Sequence, residues 1–442
     1  MAPQLTLLDH LAAAGSPAAV KASFPLLVPI LLLVLLRYLA TGAKTKQARN
    51  KLPLPPSPPA MPLIGHLHLV GAHPHISMRS LAARHGDLML LRLGTVPTLV
   101  ASSPRAAQAL LRTHDQSLAS RPSSILGDIL GYGPADVGFA PYGDGWRQAK
   151  KLVTTHLLNA KKVLSSFTTD MVSRVVAGQS FRVEGLDKKF KSVMEDSMAA
   201  LGGFNLENFY PGLAKVAGGV LMWPVRRKGE KLRDRWDEVL DKVIDGHAST
   251  AAAAGASERH ESDFTDVLLS VKEEYGITRN GMKGILSDMF AAGTDTAYLV
   301  LEYTMIELIQ HQDIMAKLQE EVRSSIPKGQ EVITEDNLTG MSYLKAVIKE
   351  TLRLHPPSPL LLPHSSREDC NIDNYMVPAG TTVFVNVWAI GRDPSLWEAP
   401  EEFMPERFIN KESKEGAIDF RVFAIWVRPK DVSWDEFCIG QR

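Results

Sequence analysis

Residues 349–357 read KETLRLHPP, and further along residues 405–408 read PERF. In the first stretch Glu350 and Arg353 stand three apart, on one helical face, where a carboxylate–guanidinium pair forms readily. Pro356 and Pro357 then stop that helix. The spacing alone carries little weight, because Glu230 with Arg233 and Glu320 with Arg323 repeat it and read as solvated pairs. Arg407, in the second stretch, is what sets Glu350 apart. A third charge lets a buried carboxylate be satisfied twice, whereas an unpaired one costs several kcal/mol. The two stretches together predict a buried ion triad.

Outward from the triad, helical periodicity covers 104–113, 144–158, 230–247, 281–310, 312–324 and 342–354. Strand-like runs are fewer. Leu88–Leu93 and Thr98–Ala101 flank Gly94 as a hairpin, and Thr381–Val387 follows the turn Pro378-Ala379-Gly380. Thr250–Asp263 lacks periodicity and reads as a surface connection. The expectation is a mostly α body with a small β sheet near the two termini, without internal repeats.

The 281–310 helix contains Ala291-Ala292-Gly293-Thr294-Asp295-Thr296. Ala-Gly strips side-chain bulk from one face and leaves room for a flat ligand. Thr296 can bond back to a preceding carbonyl and bend the helix. Its hydroxyl and the Asp295 carboxyl could then relay protons to something bound there. On this motif alone, small residues for close helix packing are the simpler reading.

The chain has 442 residues, 45% hydrophobic and 22% charged, which excludes disorder, collagen and coiled coil. Its 49 basic residues cancel 49 acidic ones, so no global field draws it to nucleic acid. The cancellation hides an asymmetry: from Met1 to Gly86 eight bases face the single acid Asp9. Two cysteines, Cys370 and Cys438, exclude a disulfide scaffold or Cys-rich metal site and suit a reducing, cytosol-facing compartment. H-E-x-x-H, G-x-S-x-G, C-x-x-C and phosphate-cradling motifs are absent, and Gly131-Tyr132-Gly133 lacks the glycine that dinucleotide binding needs. Any redox chemistry must receive its electrons from elsewhere.

Residues 1–43 read as a membrane anchor and its flank. Ala22–Leu36 carries no charge, and Lys21 and Arg37 can snorkel to lengthen the short apolar span. A cleaved signal peptide is the competing reading; the basic flank Lys44, Lys46, Arg49 and Lys51 favours an uncleaved anchor with the body in the cytosol. Residues 44–61 form a basic, Pro-rich hinge, a semi-rigid spacer. The body runs over 62–420, and 421–442 form a divergent tail.

Taken in order, the hydrophobic N-terminus and hinge, Trp146-Arg147-Gln148-Ala149-Lys150-Lys151, AGTDT at 292–296, KETLRLHPP and PERF resemble a cytochrome P-450, a heme-thiolate monooxygenase. FAPYGDGWRQAKKLVTTHLL and DCNIDNYMVPAGT look like the plant clan, nearest to grass enzymes oxidising indole-derived defence compounds. The resemblance implies heme b, with electrons from NADPH through a flavoprotein reductase. It also implies membrane lipid, a small lipophilic secondary metabolite as substrate, and a place on the cytosolic face of the endoplasmic reticulum. By the same resemblance Asp295 and Thr296 deliver protons to dioxygen, and Ala292 and Gly293 cross the distal heme face. Trp146, Lys150 (where arginine is more usual) and His364 contact the propionates, while Glu350, Arg353 and Arg407 form the structural triad. Without the family, Trp146 would read as a core aromatic. Ser124–Leu130, the Ala291 region and Leu360–Leu362 are implied around the substrate, though equally suited to ordinary core. Val220–Trp223 reads as a bilayer contact or a buried loop anchor.

Two departures stand out. The family's Cys loop, F-x-x-G-x-R-x-C-x-G, is missing: Asp431, Trp434 and Glu436 occupy the Phe, Gly and Arg positions ahead of Cys438-Ile439-Gly440. The tail reads as an altered reading frame or retained intron, with Cys438 as the candidate iron ligand. Leu164–Gly178 looks like a helix that follows the Trp146 helix too directly, as though an intervening one were missing. An alternative function follows: a non-catalytic, truncated relative unable to bind heme.

Overall fold

A computed structural model of the chain describes residues 52–133, 136–153, 176–177, 187–203, 205–253, 263–327, 337–338 and 340–409. The anchor, Leu164–Val175 and Gly178 of the suspected follow-on helix, and the whole tail with Cys438 lie outside the described residues. Among the described residues no helix is long and apolar enough to cross a membrane.

One mixed sheet ties the two ends of the body together. β1 (Leu88–Leu93) and β2 (Val96–Ala101) form the expected hairpin, antiparallel with Leu88 opposite Ala101. Gly94 turns it at φ +64°, and a Cβ there would sit 2.5 Å from the Phe209 carbonyl oxygen. From the far end of the sequence, β3 (His364–Ser365) lies antiparallel to β6 (Thr382–Val385), and β6 lies parallel to β2. Between them β4 (Cys370–Ile372) and β5 (Tyr375–Val377) make a separate hairpin turned at Asp373-Asn374, both with positive φ. The expected strand over 381–387 ends early. Asn386 caps a short helix instead, its Oδ1 accepting from the Ala389 N–H at 3.0 Å while its amide donates to the His75 carbonyl.

Helices make up most of the rest. They are α1 (Pro74–His85), α2 (Pro104–Gln108), α3 (Ile125–Leu130), α4 (Asp144–Leu152), α5 (Asp187–Leu201), α6 (Leu206–Phe209) and α7 (Pro211–Leu221). Then follow α8 (Trp223–Ala253), α9 (Phe264–Val271), α10 (Arg279–Gln310), α11 (Gln312–Ser325), α12 (Ser342–Leu354) and α13 (Val387–Ile390). The expected helix over 104–113 is split: α2 hands over to a π-helical turn at Ala109–Thr113. The first four residues of the expected surface connection are helical, because α8 runs on to Ala253.

The main core joins Leu126 and Leu130 of α3, Phe190 and Val193 of α5, and Trp236 and Leu240 of α8. Leu286 and Phe290 of α10 complete it. Buried charge crosses the same layer. Lys283 of α10 donates to Asp237 and Asp241 of α8 at 2.6 and 2.7 Å, and the Tyr132 hydroxyl donates to Asp237. A second core seats α2 on the sheet, and a third packs Leu308 against Val347, Leu354 and Phe403. In α12 the buried positions are Tyr343, Ala346, Val347, Glu350, Thr351, Arg353 and Leu354. That stripe recurs every three or four residues, so the helix must bury its charged pair along with its apolar face.

Candidate active site

Behind the helical layer, Glu350 and Arg353 have no exposed side-chain surface. The guanidinium grips the carboxylate with two bonds, Nε to Oε2 at 2.8 Å and Nη2 to Oε1 at 2.7 Å. Arg407 adds Nε to Oε1 at 3.0 Å, and the Met404 N–H donates to the same oxygen. Arg353 spends its other protons on the carbonyls of Gly391, Pro400 and Glu402. Every strong donor and acceptor in the triad is therefore used, which a buried ion pair requires. The look-alikes differ: Glu320 and Arg323 are exposed, and Arg233 lies over the Tyr132 ring at 4.6 Å.

Along α10, Ala291, Ala292 and Gly293 are half-buried. Thr296 bonds back to the Ala292 carbonyl at 2.5 Å, and the buried Thr294 hydroxyl has no hydrogen-bond partner among the described residues. Burial, and secondarily Glu195, holds the Asp295 carboxyl above the usual carboxylate range, so it takes up a proton more readily than a surface aspartate.

A cluster of aromatic and basic groups lies along α4 and β3. Trp146 is buried, and its indole N–H donates to the Val137 carbonyl at 2.9 Å. Lys150 sits 4.5 Å from the centre of the Trp146 ring. Trp146 is thus a satisfied core aromatic that presents a cation, Lys150, rather than its own N–H. His364 faces the Leu118 carbonyl through Nδ1 at 3.0 Å. Burial, then the nearby Arg121, lowers its pKa to about 4, so the ring is neutral with its proton on Nδ1. Arg121, which sequence reasoning missed, donates to the carbonyls of Leu362 and Pro363. Asp136 is its acidic neighbour among the described residues, itself held above the carboxylate range by burial and by Asp288.

Asp136 and Asp288 were also missed. Asp136 receives the N–H groups of Phe139 and Ala140, and Asp288 of α10 receives those of Val137 and Gly138 at 2.6 and 2.9 Å. The pair pins the loop before α4 onto α10. Folded-state pKa values raised above the unfolded ones mean that stability falls as pH rises past about 4, where the unfolded carboxyls ionise first. Asp136→Asn should flatten the thermal midpoint between pH 5 and 8 relative to the unsubstituted protein. Parallel curves for the two proteins would show that the pair carries no such penalty.

Other expected residues scatter. Leu126 and Leu130 are core, and Leu360 packs with the group beneath α1. Met222 is buried while Trp223 is 54% exposed beside Arg227. Cys370 lies half-buried in β4, its thiol pushed up by burial and by Glu368 and Asp369. Cys438 lies outside the described residues.

α10, an unbroken helix with small residues at 291–293, packs through Thr304 on Thr351 of α12, which carries the fully bonded buried triad, and this pairing is what the resemblance to a heme-thiolate monooxygenase implies. The family model described as Cytochrome P450 matches residues 55–165 and 157–421, and the chain belongs to that family. It is 44% identical to an indolin-2-one monooxygenase of Zea mays, over 95% of this chain and 86% of that protein. It is 45% identical to an indole-2-monooxygenase of the same plant, over 99% and 87%. A zebra fish cytochrome P450 solved with progesterone shares the fold, at a TM-score of 0.64 and 22% identity, covering 83% of this chain and 89% of that one.

The described residues fit a flat macrocycle bearing two carboxylates. The small residues Ala292 and Gly293 would leave room for such a ring, and the cations of Lys150 and Arg121 would suit its carboxylates. Arg121 in particular, bonded to carbonyls beside a carboxyl that resists ionising, suits a propionate as counter-charge. His364 fits less directly, because with Nδ1–H on Leu118 its free Nε2 is an acceptor.

Proposed function

We propose that the chain is built to insert one oxygen atom from O2 into a small lipophilic plant secondary metabolite of indole type. Electrons would come from NADPH through a flavoprotein reductase to heme b. The observation that carries this reading is the extent of identity to two maize indole-oxidising enzymes, spanning 95–99% of the chain. Heme bound through a cysteine thiolate supplies the activation of dioxygen. The chain's own part is to hold and move protons: Asp295 is poised to carry one, and Thr296, released from the Ala292 carbonyl, can pass it on. Lys150 and Arg121 would bind the propionates. The apolar segment of residues 1–43 and the basic flank after it support an anchored protein on the cytosolic face of the endoplasmic reticulum.

A second reading is a non-catalytic relative that cannot hold heme, and the wording around Cys438 favours it for this chain. Asp435 and Glu436 beside the thiol disfavour a thiolate, and the Phe, Gly and Arg of the Cys loop are replaced. The deciding experiment is the reduced CO-difference spectrum of protein purified with heme supplementation. The expected result is no thiolate-type Soret band and no reductase-dependent oxygenation. A thiolate-type band that vanishes in Cys438→Ser would restore the monooxygenase reading for this chain.

A further inference from the structure

Away from the active site, His247, Asp263 and Asp266 converge where α8 meets α9. His247 lies in the last turns of α8, Asp263 caps α9, and Asp266 stands three residues into it. One ligand atom from each falls within 4.8 Å of the other two. The imidazole is held from behind: Nδ1 donates to the Val243 carbonyl at 2.7 Å, one helical turn back. A backbone carbonyl on one ring nitrogen is the support that metal-bound imidazoles use, because it sets the tautomer and turns the other nitrogen to the metal. Nε2 faces Asp263 Oδ2 at 2.6 Å.

The carboxylates divide their work. Asp263 Oδ1 accepts from the Asp266 N–H at 3.0 Å, and Asp266 Oδ2 accepts from the Asp263 N–H at 3.3 Å, a reciprocal capping box. Capping uses one oxygen of each, leaving Asp263 Oδ2 on His247 and the second oxygen of Asp266 outside the capping bonds. The side chains of His247 and Asp263 are only 12% and 9% exposed, so little ordering remains to be done on binding.

Burial opposes charge on His247, but the bonds to Asp263 and Val243 override it and push the group up to about 9. Two carboxylates and an imidazole, which ligates a metal in its neutral form, would together balance a divalent ion. An imidazole ligand disfavours Ca²⁺ and Mg²⁺, which prefer oxygen donors, while one imidazole and two carboxylates suit zinc with water in the fourth position. We propose that His247, Asp263 and Asp266 form a zinc-binding site that clamps α8 to α9. The His247 Nε2 proton leaves to solvent as the nitrogen lone pair takes the metal, so no redox partner is needed.

The test is calorimetric titration of the full chain with Zn²⁺ at pH 7, in two buffers of different protonation enthalpy, alongside His247→Gln and Asp266→Asn. The chain has 13 histidines and will bind zinc elsewhere, so the difference between proteins is what counts. The unsubstituted protein should bind one more zinc than either variant, releasing about one proton at that site. Its thermal midpoint should rise with zinc, and those of the variants should not. Asp266→Asn keeps a capping oxygen, so it decides the matter alone if His247→Gln fails to fold. Equal stoichiometry and equal proton release in the unsubstituted protein and in folded Asp266→Asn would overturn the site.

Discussion

Glu350→Ala should cost on the order of 3–5 kcal/mol and remove most of the soluble folded protein. The substitution leaves Arg353 with two N–H groups unpaired in a place with no water to receive them, and it strips Arg407 and the Met404 N–H of the same acceptor. Two guanidinium groups would then face each other with no counter-charge between them. The loss should show as a lower denaturant midpoint, together with failure of α12 to hold the 404–408 turn. Glu320→Ala, at the exposed copy of the same spacing, should change stability by less than about 1 kcal/mol. Comparable losses at both positions would refute the triad as a stabilising unit.

Lys283→Met should cost about 2 kcal/mol, less than the triad because Asp237 and Asp241 are 32% and 37% exposed and water partly screens them. The methionine fills the space of the lysine stem but removes the cation that holds two carboxylates of α8 against α10. Arg279 still binds Asp241 at 2.6 Å, so the damage falls mainly on Asp237 and on Tyr132, which bonds to it. Adding Asp237→Asn should recover part of the loss in urea unfolding. A double variant no more stable than Lys283→Met would show that the carboxylate repulsion is not what destabilises it.

The triad was legible because its geometry is written within one helix and one short motif: Glu350 and Arg353 share a face, and PERF supplies the third charge. The hairpin and α10 to α12 were legible for a related reason, since each is long or punctuated by glycine and proline. Arg121, Asp136, Asp288 and Lys283 were not, because each takes its meaning from a partner in a distant segment that no local period reveals. Asp288 looks like any polar residue on a helix until the 137–138 N–H groups are seen to end on it. The helix after Asn386 was hidden by its β-branched neighbours, which read as more strand until the asparagine is recognised as a cap. Trp146 shows a different limit. Its position implied a propionate contact, whereas its N–H is bonded to Val137 and its ring carries the Lys150 ammonium.

The parallel pairing of β2 with β6 joins Thr98 to a residue on the order of 280 positions later. A ribosome adding about 5–20 residues per second releases the hairpin tens of seconds before its partner strand exists. Through that interval the outer edge of β2, Thr98-Leu99-Val100-Ala101, carries unpaired backbone groups beside apolar side chains, a template for pairing with another nascent chain. Closing so long a loop also delays the search once synthesis ends, since distant contacts form last. Yield of this protein in a cell should therefore depend on how well that one strand edge is shielded during translation.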